Sequence, residues 1–479
     1  MNDRLPVALQ VLLASMLCVG ISCSENRPVA ATPAAVASSR PTAIQTSGGG
    51  VPAAAKTADH FAAGTAQFKA GQYQQAVASF GQGIAGNPTD ARNYYGRALA
   101  LKNLGQSAQA MADLSKAIEL EPKNPRFYQT RATLSLVTGK NEAALGDFSQ
   151  VIALEPSNIE CYKSRAFLYL GKGEAQKAFA DFSSAIQIDP KCSAAYHGRA
   201  MIYAQTNQVD KAMEDINIAI KNDPANVDYL LFRANGYGAL RQMDQAQADL
   251  DNALRINPKC VEAYMMKAAI ALSNQQDDQA IAMCRKAVAA QKDFEQAYVF
   301  MANVYGQKRQ YDKVIEVYSE FLAVKTSLDS LVGRAGAYCQ NSEFDRALRD
   351  INQAMQINPK DRVVLQYHAM LSENARNWEN AIADYGTLIS LNAGDARNYL
   401  QRGRVYARLK ESEKALADYD KALAIDGNLE ALRDNRAMLF FEMRDFDRAW
   451  AEVRAGRDSG NKVSVNMIQL LKAASGREE

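Results

Sequence analysis

The chain has 479 residues, with 55 Lys and Arg against 53 Asp and Glu, a formal net charge of +2 and 48% apolar residues. That balance argues against the basic face of a nucleic-acid protein and is ordinary for a water-facing surface. The length by itself suggests about three domains of roughly 150 residues, but a repeating chain grows in one dimension without separate cores.

Residues 5–22, LPVALQVLLASMLCVGIS, carry no charge and follow Arg4. This is the composition of a secretory signal, and it predicts a signal peptide over residues 1–22. Gly20-Ile21-Ser22-Cys23 resembles a bacterial lipobox, whose cysteine is lipidated and becomes the mature N-terminus. Gly20 departs from the aliphatic residue usual there. Ordinary cleavage after Ser24 and an uncleaved anchor are the alternatives. Cys23 is thus the lipidation candidate. The expected location is the periplasm or the outer membrane, as a lipoprotein, with secretion as the alternative. Residues 23–56 are rich in Ala, Pro, Ser, Thr and Gly without a periodic apolar face, which predicts a disordered tether. As random coil it would reach about 30 Å.

From Thr57 onward the chain repeats. Residues 193–226, SAAYHGRAMIYAQTNQVDKAMEDINIAIKNDPAN, read as two amphipathic helices. Tyr196, Ala200 and Tyr203 mark one face of the first; Ala212, Ile216, Ala219 and Ile220 mark the second. Asn207 suits the left-handed residue that ends a helix, and Pro224 stops the second helix. Shifting this window by 34 residues places Ala98, Ala132, Ala166, Ala234, Ala268 and Ala302 over Ala200. Pro88, Pro122, Pro156, Pro190 and Pro258 fall in the slot of Pro224. Asn124, Asn158, Asn226 and Asp395 stand where the next helix needs a cap. Twelve copies run from residue 57 to 461, and residues 462–479 hold an amphipathic closing helix with Val463, Met467, Ile468 and Leu471 on its apolar side.

Slot seven of the window is Arg97, Arg131, Arg165, Arg199, Arg233, Arg334, Arg402 and Arg436 in eight of the copies. Slot twenty-three is Asp113, Asp147, Asp181, Asp215, Asp249, Asp350, Asp418 and Glu452 in the same copies. His368 goes with Asp384, whereas Ala63 goes with Ser79 and Met301 with Val317. Lys267 is the exception, facing Met283. Base and acid come and go together, so the arginine row reads as structural salt bridges within each hairpin rather than as an anion site.

The spacing of Tyr196, Arg199, Ala200, Tyr203, Ala212, Ile216 and Pro224 resembles the tetratricopeptide repeat, with Tyr for its Trp and Arg for its usual Leu. The resemblance implies an all-α fold, a right-handed α-solenoid of about twelve helix-turn-helix repeats with a C-terminal capping helix. It also implies a concave groove, lined by the first helix of each repeat, that takes other proteins or peptides. Slots five and nine would face it, which makes Lys163, Phe167, His197, Met201, Leu231, Asn235, Met265, Val299, Asn303 and Val332 the partner-binding candidates. The flanking repeats are more polar there, with Arg92, Arg126, Gln129, Arg397, Arg404 and Arg408. The family's carboxylate clamp for chaperone C-termini is missing, since Lys163 is followed by Phe167 rather than Asn. Repeats seven and eight lose the terminal proline and the Arg–Asp pair, which reads as a hinge or as drift.

No P-loop, dinucleotide fingerprint, zincin or nucleophile-elbow motif is present. His60, His197 and His368 fall in three separate repeats, which argues against a shared metal site. Of the scattered cysteines, Cys161 and Cys192 could pair, and Cys284 sits in a core slot. The expectation is a non-enzymatic scaffold for protein partners in cell-envelope assembly, anchored to a membrane through an N-terminal lipid, with no cofactor, metal, nucleic acid or small-molecule substrate. A periplasmic, chaperone-like binder of unfolded or extended polypeptides is the alternative.

Overall fold

The structure is a computed structural model and describes residues 52–429, 431–458 and 464–477. The signal, Cys23 and most of the tether lie outside the described residues. All described elements are helices. The chain divides after Pro258 into two compact units.

The first unit contains α1 (Pro52–Lys69), α2 (Tyr73–Gly86), α3 (Ala91–Asn103), α4 (Ser107–Leu120), α5 (Pro125–Val137), α6 (Asn141–Leu154), α7 (Ile159–Gly171), α8 (Ala175–Ile188), α9 (Ser193–Gln205), α10 (Val209–Asn222), α11 (Val227–Ala239) and α12 (Met243–Ile256). The second contains α13 (Val261–Ser273), α14 (Asp277–Ala290), α15 (Glu295–Gln307), α16 (Tyr311–Leu322), α17 (Leu328–Gln340), α18 (Phe344–Ile357), α19 (Arg362–Asn374), α20 (Trp378–Leu391), α21 (Ala396–Arg408), α22 (Ser412–Ile425), α23 (Leu432–Glu442), α24 (Phe446–Asp458) and α25 (Val465–Ser475). Among the described residues, twelve hairpins and a last single helix follow in the expected order. The first described helix begins at Pro52. The division at Pro258 falls before the irregular seventh and eighth repeats.

Local chemistry sets the helix ends. The side chains of Asn124, Asn158, Asn226 and Asp395 each accept a backbone N–H of the following helix. This satisfies one of the amides that a helix start leaves unpaired. Within each hairpin one residue turns left-handed. Gly71, Gly105, Gly139 and Gly173 do so in the first four repeats, and Asn207, Arg241, Gln275 and Arg309 in the next four. Beside Asn207, the Gln208 N–H reaches back to the Tyr203 carbonyl at 2.8 Å, closing the helix with a Schellman bond.

Small side chains set how closely the hairpin's helices approach. Tyr196, Ala200, Ala212, Ile216 and Ala219 form one core cluster with Met213 and Tyr229, and Ala200, Ile216 and Ala219 are fully buried. A hairpin of this size hides its outer face only against the next. Phe182 of α8 projects toward α9, where Gly198 leaves the space: a Cβ built there would lie 2.2 Å from the ring. Close packing of this kind, with large side chains opposite small ones, is what fixes one repeat on its neighbour.

In the second unit, α25 closes the last hairpin. Met467 and Leu471 pack with Ala437, Phe440, Trp450 and Val453. The Trp450 indole N–H donates to the Ser475 hydroxyl at 3.2 Å. Val463 lies outside the described residues. Where the Arg–Asp pair is missing, Met301 and Val317 are buried at 0% and 1% exposure, and Arg285 of α14 pairs with Glu320 of α16.

Candidate functional site

The arginine row is the most conspicuous charged feature of the repeats. Arg97, Arg131, Arg165, Arg199, Arg233, Arg334 and Arg402 each make two parallel hydrogen bonds, Nε and Nη2 to the two carboxylate oxygens, at 2.6–2.9 Å. Their partners Asp113, Asp147, Asp181, Asp215, Asp249, Asp350 and Asp418 are 5–7% exposed. The hydrogen bond to Asp215 holds the Arg199 guanidinium above its ordinary pKa. Arg436 bonds Glu452 through Nε at 3.0 Å, and His368 Nδ1 lies 2.6 Å from an Asp384 oxygen.

The remaining Nη1 arm does something the sequence pattern did not show. It donates backward to the second helix of the preceding repeat: Arg131 to Ser115, Arg165 to Ser149, Arg233 to Asn217 and Arg334 to Ser319, at 2.8–3.0 Å. One guanidinium thus ties three helices. Arg199 also lies 5.6 Å from the Tyr196 ring centroid, a cation–π distance. The Nε–Nη2 edge of each of these arginines is thus occupied by a carboxylate of its own chain.

Slots five and nine lie four residues apart on one face of each first helix. In the first unit, Phe167 of α7 is 40% exposed and touches the Phe182 ring edge-on at 5.1 Å. Lys163 pairs with Glu160 of its own helix at 2.6 Å. Met201 of α9 and Leu231 and Asn235 of α11 are half-buried. His197 keeps some exposed area, yet its ring is enclosed by Tyr229 and Phe232, with centroids at 5.0 and 5.2 Å. Burial pushes its imidazole down to about 4. His197 is therefore a neutral packing residue near pH 7 rather than a polar contact for a partner.

The second unit corrects one more candidate. Met265 is 4% exposed and belongs to the core, because a long apolar side chain gains more from burial than from water. Val332 is half-buried and packs beside Leu331, Ala335 and Ile351. Val299 is half-buried and Asn303 is exposed. Cys161 and Cys192 are both free thiols, so the suggested disulfide is absent. Burial pushes the Cys161 and Cys284 thiols up to about 12, which makes both poor nucleophiles. Among the described residues no cluster of His, Cys, Asp or Glu could hold a metal ion, and no helix is long and apolar enough to cross a membrane.

The flanking basic residues divide. Arg92 is spent on Asp90, with Nε at 2.9 Å and Nη2 at 2.8 Å, and this hydrogen bond holds the Asp90 carboxyl below its ordinary value. Arg397, Arg404 and Arg408 instead line an open cavity of about 770 Å³ between α19 and α21. Gln366, Met370, Glu373, Tyr385, Asn398 and Gln401 complete most of its wall. The sequence pointed to the three arginines. It did not reveal that Tyr385 of α20 and Glu373 of α19 close the cavity behind them, since that needs the fold.

Family models match three stretches of the chain: "Tetratricopeptide repeat protein 21 C-terminal ARM domain" over residues 174–340, and "Tetratricopeptide repeat" over residues 67–134 and 396–429. No curated protein matches the chain. Among solved structures, it is similar to a tetratricopeptide repeat protein from Parabacteroides merdae, at 18% identity over 52% of this chain and 99% of that one, with a TM-score of 0.42. It is also similar to the C-terminal part of a repeat protein from Cytophaga hutchinsonii, at 15% identity over 50% and 99%, with a TM-score of 0.43. A third is YrrB, described as a TPR protein with an unusual peptide-binding site, at 20% identity over 38% and 95%, with a TM-score of 0.34. The 34-residue period, the twelve helical hairpins it produces and the three family matches make this chain a tetratricopeptide repeat protein.

Proposed function

We propose that the chain is a non-enzymatic scaffold that holds a partner protein or peptide on the first-helix faces of its repeats. Tetratricopeptide arrays are, as a class, protein-interaction modules. One observation carries the reading here. In the first unit, frame residues such as Ala200 and Ile216 are buried and slot-seven arginines such as Arg199 are paired with aspartates. Phe167, Met201, Leu231 and Asn235 are what slots five and nine leave accessible on three consecutive first helices. A face of this kind, apolar with an adaptable methionine and an amide, suits a peptide or helix laid across it.

Within this reading the array serves envelope assembly and is tethered through lipid on Cys23. Labelled palmitate should enter the wild-type protein and not Cys23→Ala; an unlabelled wild type would end the anchor proposal. A photo-crosslinker at Met201 in cells should capture one dominant protein, and the same probe at exposed Asn222 should not. Equal capture from both positions would sink the first-helix face as the binding surface. A broad spread of captured clients would turn the reading toward a chaperone-like binder.

A further inference from the structure

The second unit holds a basic cavity that the scaffold reading does not explain. Arg397, Arg404 and Arg408 lie at i, i+7 and i+11 on α21, which puts them in one stripe along a single helix face. Arg402, between them, is already taken by Asp418. Arg397 is held by Asp395 at 3.2 Å, at the exposed end of the cavity. The other two have no such partner. Arg404 is half-buried, and its Nη1 donates to the neutral Gln401 Oε1 at 2.9 Å. Arg408 is exposed, its guanidinium 5.7 Å from the Trp378 ring centroid. Neither is ion-paired with a carboxylate among the described residues. The one carboxylate deeper in the wall, Glu373, accepts the Tyr385 hydroxyl at 2.7 Å.

The wall therefore has hydrogen-bond donors in excess. Asn398, 4% exposed, lines the same cavity, and its Nδ2 is buried without a partner. A partly buried cation and an unpaired buried amide both cost stability unless something supplies acceptors.

We propose that this cavity binds an extended acidic peptide segment, with carboxylates at alternate positions meeting Arg404 and Arg408. The spacing follows from geometry. Residues four apart on a helix are separated by about 6 Å along its axis. Residues two apart on an extended chain are separated by about 6.6 Å, with both side chains on the same side. An extended chain also brings free backbone carbonyls to a wall rich in donors, which a helix with its carbonyls bonded internally does not. Met370, 43% exposed at the rim, offers an apolar contact to such a segment. The assignment rests on the protein-binding reading above and names a second, chemically distinct site for it.

The test uses the full chain and fluorescence anisotropy. A labelled peptide with the core Glu-Leu-Glu should bind, and its Gln-Leu-Gln counterpart should not. Arg404→Gln and Arg408→Gln should each weaken binding on the order of ten-fold, the loss of one charge-assisted hydrogen bond. Arg346→Gln, an exposed arginine on α18 paired with Glu343, should change nothing. Circular dichroism checks that every variant stays folded. Equal binding of the glutamine peptide, no effect of either cavity variant, or tighter binding of a helical peptide with acids four apart would overturn the assignment. So would a single-stranded oligonucleotide that outcompetes the peptide at the same two arginines. If no peptide binds below about 1 mM, weaker than −4 kcal/mol, while Met201 still crosslinks one partner, the cavity assignment fails and the scaffold reading stands.

Discussion

Arg199 illustrates how a residue that looks functional can be structural. Its fork meets a carboxylate that is 5% exposed, and the pair joins the two helices of one hairpin. Removing the arginine leaves Asp215 charged, buried and unpaired. Arg199→Ala should therefore lower stability by about 3 kcal/mol, at the low end for a buried pair because the guanidinium edge remains partly wet. Adding Asp215→Met to Arg199→Met should recover much of the loss, as the natural Met301 and Val317 pair suggests. Strictly additive losses in chemical denaturation would contradict a coupled pair. His197 makes a prediction of opposite character. Its folded pKa of about 4 lies below the ordinary value near 6.5, so the unfolded chain takes up the proton first. Stability should fall as pH drops from about 6.5 toward 4, by roughly 3 kcal/mol in all. His197→Phe should remove that slope, which pH-dependent melts would reveal.

At the scale of the element, the contacts between repeats are decided by shape. Phe182 enters the space above Gly198, and a methyl group there would overlap the buried ring. Gly198→Ala should destabilise by about 1–3 kcal/mol through overpacking. Phe182→Leu in the same chain should restore part of that, and thermal melts of the three variants measure it. The pairing could not be read from the sequence, because the two residues belong to different repeats and neither stands out in its own. The Arg–Asp pairs could be read, because twelve copies supply their own comparison. The third guanidinium arm, reaching Ser115 or Ser149 in the preceding repeat, was hidden for the same reason as Phe182 and Gly198. The caps at Asn124, Asn158, Asn226 and Asp395 were legible because capping needs only a local side chain and its own helix start.

For the whole molecule, stability is a sum over neighbours rather than the property of one core. The closing helix tests this directly. Leu471 is fully buried against the last hairpin, so Leu471→Ala should cost about 2–5 kcal/mol. The effect should stay local: amide exchange should speed up in α23–α25 and remain unchanged in α7–α10. A uniform loss of protection along the chain would show a single cooperative unit instead. The sequence by itself determined the helical hairpin, its period, its ends and its internal salt bridge, since each depends on residues fewer than 34 positions apart and recurs in register. Only the tertiary structure decided which slot-five and slot-nine side chains are open. Met265 is buried, His197 is enclosed by Tyr229 and Phe232, and Arg404 lines a cavity in which no carboxylate pairs with it. Exposure is set by what the neighbouring repeat places opposite a side chain, and a periodic pattern gives every copy the same address without saying what stands across from it.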